Sequence, residues 1–387
     1  SMGVRWVALG DSLTQGIQSF GAAESSRPYG YMYLLARLAG LGEEDFVPPR
    51  IADPGWPCQM ELVLRRPWEC LRRWARQGFR PVRSNPQEQP HNLAVGALTL
   101  RELLTLTVSN RRRVALTSFA RHMVPLVYAP SQGETAVEMA LRLQPEVVFC
   151  WIGNNDTLIA LLSNWPEALT PEEDFRQDYL RLVEMLLEGT SAHLVLATLP
   201  SFLPTPFWAE LRRARFLNEP PRAEEFLQRL PSIPVQGSWL ECLERALEER
   251  LRRLNAFLRS LEGERVLVVD VAKAHGRIAV EGWPVPRGAL PFRLAGDRLT
   301  LAYPRLRGEE REGGLISLDG LHPSRTGHAL LAYWFAGNLR EKGPWPLPLP
   351  DVLAVAARDP LLLHPPPLAP LLFRWGMRLY VRGVERS

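Results

Sequence analysis

The sequence predicts an α/β fold with a mostly parallel sheet, and three observations carry that expectation. Short apolar runs bounded by turns alternate with stretches of helical periodicity, as repeated strand–helix–strand units require. At 387 residues, 46% hydrophobic and 23% charged, the chain can bury a large core. Several of the apolar runs end in a polar cluster, and open α/β sheets place ligands beyond the carboxyl ends of their strands.

Taken in order, the strands are expected at residues 4–9, 93–95, 147–152, 193–198 and 265–269, each a short apolar run between turn signals. Helices are expected between them at 29–41, 134–143, 175–187 and 239–261. The last follows "GS", an N-cap signal, and carries Glu and Arg three and four residues apart on a solvated face. A final helix is expected from "HPSRTGHALLAYWFAGNLR", with Pro323 near its first position. Residues 43–90, 201–237 and 275–315 are too long for ordinary loops and read as insertions. The domain so defined spans 1–340. A Pro-rich extension, 341–387, shows no clear period until "LLFRWGMRLYVRG" and is expected to pack on or near that domain.

Composition excludes several classes. A net charge of +4, with no block of five like charges, argues against nucleic acid as a partner. No run of 18 apolar residues is present, so no transmembrane segment is expected. The chain opens on "SM" without a leader pattern; a removed leader would place the protein outside the cell or in its envelope, and otherwise it is cytoplasmic. No Cys/His spacing suits structural zinc, "HExxH" is absent, and no metal or cofactor is expected. Cys150 and Cys242 read as core thiols, whereas Cys58 and Cys70 lie in a loop-like insertion where an oxidising compartment would allow a short disulfide. Oligomeric state is not legible.

The polar clusters carry the chemistry. In "ALGDSLTQG" Ser12 follows a strand, and by itself the stretch suits a turn as well as a nucleophile. "NLAVGAL" ends a strand at Gly96, "WIGNND" ends another at Gly153 to Asp156, and "LDGLHPS" sets Asp319 and His322 three apart at a helix start. A Ser hydroxyl needs a base, usually His, held by a third group. A tetrahedral oxyanion needs donors aimed at it, and the Ser12 N–H, the Gly96 N–H and the Asn155 amide would supply three. Asp11 is expected to fix the turn, Asn154 and Asp156 to start a helix, and His91 and His328 to be structural. The GxSxG elbow is absent.

In this order, "GDSLTQG", "NLAVGAL", "GNND" and "DGLHPS" resemble blocks I, II, III and V of the SGNH, or GDSL, hydrolase superfamily, over about residues 3–340. The resemblance implies a flavodoxin-like three-layer α/β/α fold. It also implies Ser12 as nucleophile, Asp319 and His322 as the rest of the triad, and Ser12, Gly96 and Asn155 as oxyanion hole. "FVPPRIADPGWP" is similar to a long bacterial GDSL subgroup often made with export signals. The implied activity is cleavage of short- to medium-chain carboxylic esters through an acyl-enzyme, with a small-molecule ester or lipid as substrate. Two alternatives stand beside it: a carbohydrate O-acetyl esterase and a non-catalytic lipid- or carbohydrate-binding module. Aromatic residues of the insertions, Trp56, Trp68, Trp74, Phe202, Phe207 and Trp208, are expected either to wall an acyl site or to form the insertions' own cores.

Overall fold

A computed structural model describes residues 4–285, 290, 293–294 and 312–387. Strands β1 (Trp6–Gly10), β2 (Val147–Trp151), β3 (His193–Ala197) and β4 (Val266–Val269) pair in parallel in that spatial order. Residues 92–95 run parallel to the free edge of β1: the Ala8 N–H donates to the His91 carbonyl at 2.9 Å and the Leu93 N–H to the Ala8 carbonyl at 2.8 Å. The chain thus leaves β1 for one edge and returns on the other side as β2, the flavodoxin-like order. The connections diverge between β1 and β2, and a crevice opens at such a switch point.

Every residue of β1, β2 and β4 is buried, because helices cover both faces of the sheet. On one face the helices Tyr31–Leu38 and Arg325–Lys342 pack together, with Tyr31, Trp151 and Phe335 in a buried aromatic cluster. On the other lie Leu100–Thr105, Ala136–Leu143, Glu172–Gly189 and Trp239–Ser260. Capping boxes start three of these four: Thr99 with Glu102, Thr135 with Glu138 and Ser238 with Glu241.

Three expectations need correction. The last sheet-covering helix starts at Arg325, with the Ser324 hydroxyl accepting from the Gly327 N–H at 3.1 Å. Pro323 therefore precedes the cap, in an extended bridge to Ile316. Cys58 and Cys70 are free thiols: Cys58 Sγ lies 4.0 Å from Met60 Sδ, and Cys70 Sγ 4.0 Å from the Leu62 carbonyl. The insertions are more helical than their composition suggests, with short helices at Met60–Arg65, Pro67–Gln77, Pro206–Leu211 and Arg222–Gln228. The third begins inside the helix Val271–Glu281, and 286–289, 291–292 and 295–311 lie outside the described residues.

The C-terminal extension carries the helices Val352–Ala356, Pro360–Leu363 and Ala369–Arg386. Its last helix packs Phe373 and Met377 into a second apolar cluster, built mainly from the 201–237 insertion and the helix Trp239–Ser260.

Candidate active site

Ser12 stands at the carboxyl end of β1, on the first turn of the helix Ser12–Gln15. Gly10 makes this tight turn possible, since a Cβ there would meet the Trp151 carbonyl at 2.6 Å and Thr14 Oγ1 at 2.7 Å. Asp11 caps the helix, accepting from the Leu13 N–H at 3.0 Å and from Asn154 Nδ2 at 3.1 Å. Burial pushes the Asp11 carboxyl up to about 6, against the lowering effect of those two donors. Asp11 thus fixes the turn as expected, and Asn154 ties it to the end of β2.

The four sequence clusters converge at this end of the sheet. His322 Nε2 lies 2.8 Å from Ser12 Oγ, and His322 Nδ1 lies 2.6 Å from Asp319 Oδ2. Asp319 is 2% exposed yet well satisfied, because it also accepts N–H groups from Leu321 and His322 at 2.8 Å and from Phe20 at 3.0 Å. Burial alone would raise its pKa, but the His322 charge and these donors hold it below the ordinary carboxylate value. For His322 burial disfavours the cation, while the charge and hydrogen bond of Asp319, with Asp11 beyond, outweigh it and raise the pKa above 6.5.

That shift has a testable sign. A neutral imidazole can accept a proton and an imidazolium cannot, so with His322 as the base kcat/KM is expected to rise with pH through its raised pKa. The lower limb of the profile on a soluble ester is expected with its midpoint above the ordinary 6.5. A midpoint near 5, or no lower limb at all, would be incompatible with His322 as the base.

The expected oxyanion donors fare unequally. The Ser12 N–H heads its helix, where the first amides lack intrahelical acceptors. Asn155 is buried, and its Nδ2 donates one proton to the Leu98 carbonyl at 3.0 Å, leaving the second for a ligand. Gly96 departs from expectation: its N–H donates to Gln15 Oε1 at 2.7 Å, a side chain that the turn after Ser12 brings across. The next residue, Ala97, has φ +63° and lines the cavity beside Ser12, and among the described residues its N–H has no acceptor.

Sequence reasoning missed the clamp that holds Asp319. Ser19 and Phe20 both have positive φ, and they bond the loop that carries Asp319 through Ser19 N–H to Ser317 Oγ (2.9 Å), Leu318 N–H to Ser19 Oγ (3.2 Å) and the Phe20 contact above. "SF" carries no local signal for this role, because its partners are about 300 residues away. His91 and His328 are structural as expected, with Nδ1 facing the Val47 N–H and the Tyr31 N–H respectively. Asp156 is fully buried and accepts from the Leu100 N–H and the Thr170 hydroxyl.

Ser12 and His322 open into a cavity of about 780 Å³ with an apolar lining. Of the expected aromatics, Phe202 and Phe207 line it. Trp208 is buried in the second cluster with its N–H on Glu244, Trp56 packs at a tilt against Phe119, and Trp68 is exposed to solvent. Much of the wall comes instead from the C-terminal helix, through Leu372, Phe373, Trp375, Met377 and Tyr380.

A parallel α/β sheet carrying Ser, His and Asp in hydrogen-bonded sequence at its carboxyl edge has the layout of a serine hydrolase. Residues 7–335 match the family model described as GDSL-like Lipase/Acylhydrolase, and the chain belongs to that family. It is a carboxylic ester hydrolase. A search of curated proteins finds no sequence relative. Among solved structures, a family 3 carbohydrate esterase from Clostridium thermocellum is 14% identical, with a TM-score of 0.34 over 87% of this chain and 94% of that one. An acetyl xylan esterase from Geobacillus stearothermophilus is also 14% identical, with a TM-score of 0.35 over 87% and 94%. A salicylyl-acyltransferase from a tetracycline biosynthetic pathway is 12% identical, with a TM-score of 0.37 over 90% of this chain and 57% of that one. Membership rests on the family match alone.

Proposed function

We propose that the domain 1–340 cleaves short- to medium-chain carboxylic esters through an acyl-enzyme on Ser12, with the extension 341–387 completing the acyl site. One observation carries this reading: the Ser12–His322–Asp319 chain, with contacts of 2.8 and 2.6 Å, opens directly into the apolar cavity of about 780 Å³. His322 takes the proton of Ser12 as the oxygen attacks the ester carbonyl. The imidazolium, held by Asp319, then returns that proton to the departing alkoxide. Water repeats the sequence on the acyl-enzyme and releases the acid. The developing oxyanion is met by the Ser12 N–H, by the second Asn155 amide proton and, with the Gly96 N–H held by Gln15, by the Ala97 N–H.

Asn155→Ala tests the oxyanion assignment. The variant loses a donor that acts only on the transition state, so kcat is expected to fall by about 10²- to 10³-fold with KM nearly unchanged. A change confined to KM would place Asn155 in ground-state binding.

Chain length follows from the wall. Each methylene that finds apolar contact gains about 0.8 kcal/mol at best, so kcat/KM should climb from acetate through butyrate to octanoate and fall for palmitate. A panel of p-nitrophenyl esters measures this directly, with rates insensitive to EDTA. Phe202→Ala removes part of the wall and should lower kcat/KM for octanoate about tenfold more than for acetate. A maximum at acetate, above all on acetylated sugars, would transfer the assignment to a carbohydrate O-acetyl esterase.

A further inference from the structure

The C-terminal helix Ala369–Arg386 has two apolar faces where a surface helix needs one. Its inner face, Phe373 and Met377 followed by Val381 and Val384, packs on the second apolar cluster. Its outer face presents Leu368, Leu371, Leu372, Trp375 and Leu379, and these are 66%, 61%, 41%, 62% and 46% exposed. Their spacing of three and four residues places them on one stripe. The same helix holds four arginines, Arg374, Arg378, Arg382 and Arg386, against one acid, Glu385, whose carboxylate accepts the Arg215 N–H.

This stripe borders the active-site cavity, because Leu372 and Trp375 belong both to it and to the cavity lining. A second basic and apolar element lies close by. Met60 and Leu64 line the same cavity, Arg65 donates to the Pro360 carbonyl at 3.0 Å, and the helix Pro67–Gln77 follows at once. That helix exposes Trp68 (73%) and Leu71 (50%) among Arg66, Arg72, Arg73 and Arg76. No helix among the described residues is long and apolar enough to cross a membrane. A Leu/Trp stripe flanked by arginines is instead the composition of a helix that lies in a lipid–water interface.

We propose that the outer face of the helix Ala369–Arg386 docks on an anionic phospholipid surface, so that an acyl chain passes from the lipid phase into the cavity leading to Ser12. The proposal rests on the acyl-ester reading of the site given above. Two features select this occupant. The arginines match the negative surface potential of an anionic leaflet, and Trp prefers the headgroup level. The stripe is also continuous with an apolar cavity, so a lipid tail entering there need not cross water.

The test separates docking from chemistry by using the full chain with Ser12→Ala. This protein is expected to cosediment with phosphatidylcholine vesicles containing phosphatidylglycerol, to bind pure phosphatidylcholine vesicles weakly, and to be released by high salt. Leu371→Glu with Leu379→Glu, neither of which lines the cavity, should weaken vesicle binding at least about tenfold. In the Ser12 background the same pair should leave soluble butyrate-ester kcat/KM within about twofold, which also certifies folding. Failure of Ser12→Ala to bind, equal binding to both vesicle types, or full binding by the double variant would overturn the proposal and leave the esterase reading standing. A dimer in sedimentation velocity that the two glutamates dissociate would also overturn it, by assigning the face to a second copy. Vesicle binding without hydrolysis of any soluble ester by the Ser12 protein would instead overturn the esterase reading.

Discussion

Replacement of Ser12 by Ala is expected to lower kcat/KM on p-nitrophenyl butyrate by about 10⁴-fold or more, the size of effect seen when a triad nucleophile is removed. The fold should survive, since Ser12 is only partly buried and its hydroxyl makes one hydrogen bond, to His322. A fluorophosphonate gives the complementary result. Ser12 alone should be phosphonylated, because it combines a base at 2.8 Å with N–H donors in an open cavity. Digestion and mass spectrometry locate the adduct. Label on any other serine, or none on folded protein, would remove Ser12 from the mechanism.

Asp319→Asn is expected to have the next largest effect, with kcat down by about 10⁴-fold and little change in KM. The reason lies in the donors that surround this carboxylate. Asp319 accepts N–H groups from Phe20, Leu321 and His322 as well as the His322 ring. An amide has one accepting oxygen and must turn its NH₂ towards some of these donors, so the imidazole loses the acceptor that sets its tautomer. The same variant should shift the lower limb of the pH profile downwards, because the charge that lifts His322 above 6.5 is gone. An Asn variant with unchanged kcat, or an unmoved limb, would assign Asp319 to stability alone.

The sheet and the hydrogen-bonded Ser12–His322–Asp319 cluster were legible in the sequence for the same reason. A strand buried on both faces needs an unbroken apolar run, and a reactive group beyond its end needs the polar, turn-forming residues that interrupt that run. The clusters at Ser12, Asn155 and His322 are therefore local features. Each can be read within about ten residues, and the structure brings them to one edge of the sheet. Even the strand order follows the implied family fold, although the 92–95 segment pairs too irregularly to form a regular strand.

The remainder depends on contacts between distant segments. Gly96 carried the right signal for an oxyanion donor, yet its N–H is taken by Gln15, and no spacing rule relates residues 81 apart. Phe20 holds Asp319 from 299 residues away, through a backbone amide that any side chain would supply. The cavity wall is the strongest case. The Pro-rich tail reads only as an extension packed on or near the domain; its helix sets Phe373 against the loop that carries Asp319 and His322, where a Cβ on Gly320 would meet the ring at 2.6 Å. By itself the sequence determined the fold class and the polar clusters that hold Ser12, Asp319 and His322, because those depend on residue type and near-neighbour order. Only the tertiary structure decided which amides keep a free N–H beside Ser12 and which surfaces line the cavity. Hydrogen bonds saturate and apolar faces pair by proximity, and proximity across hundreds of residues is written nowhere in a local pattern.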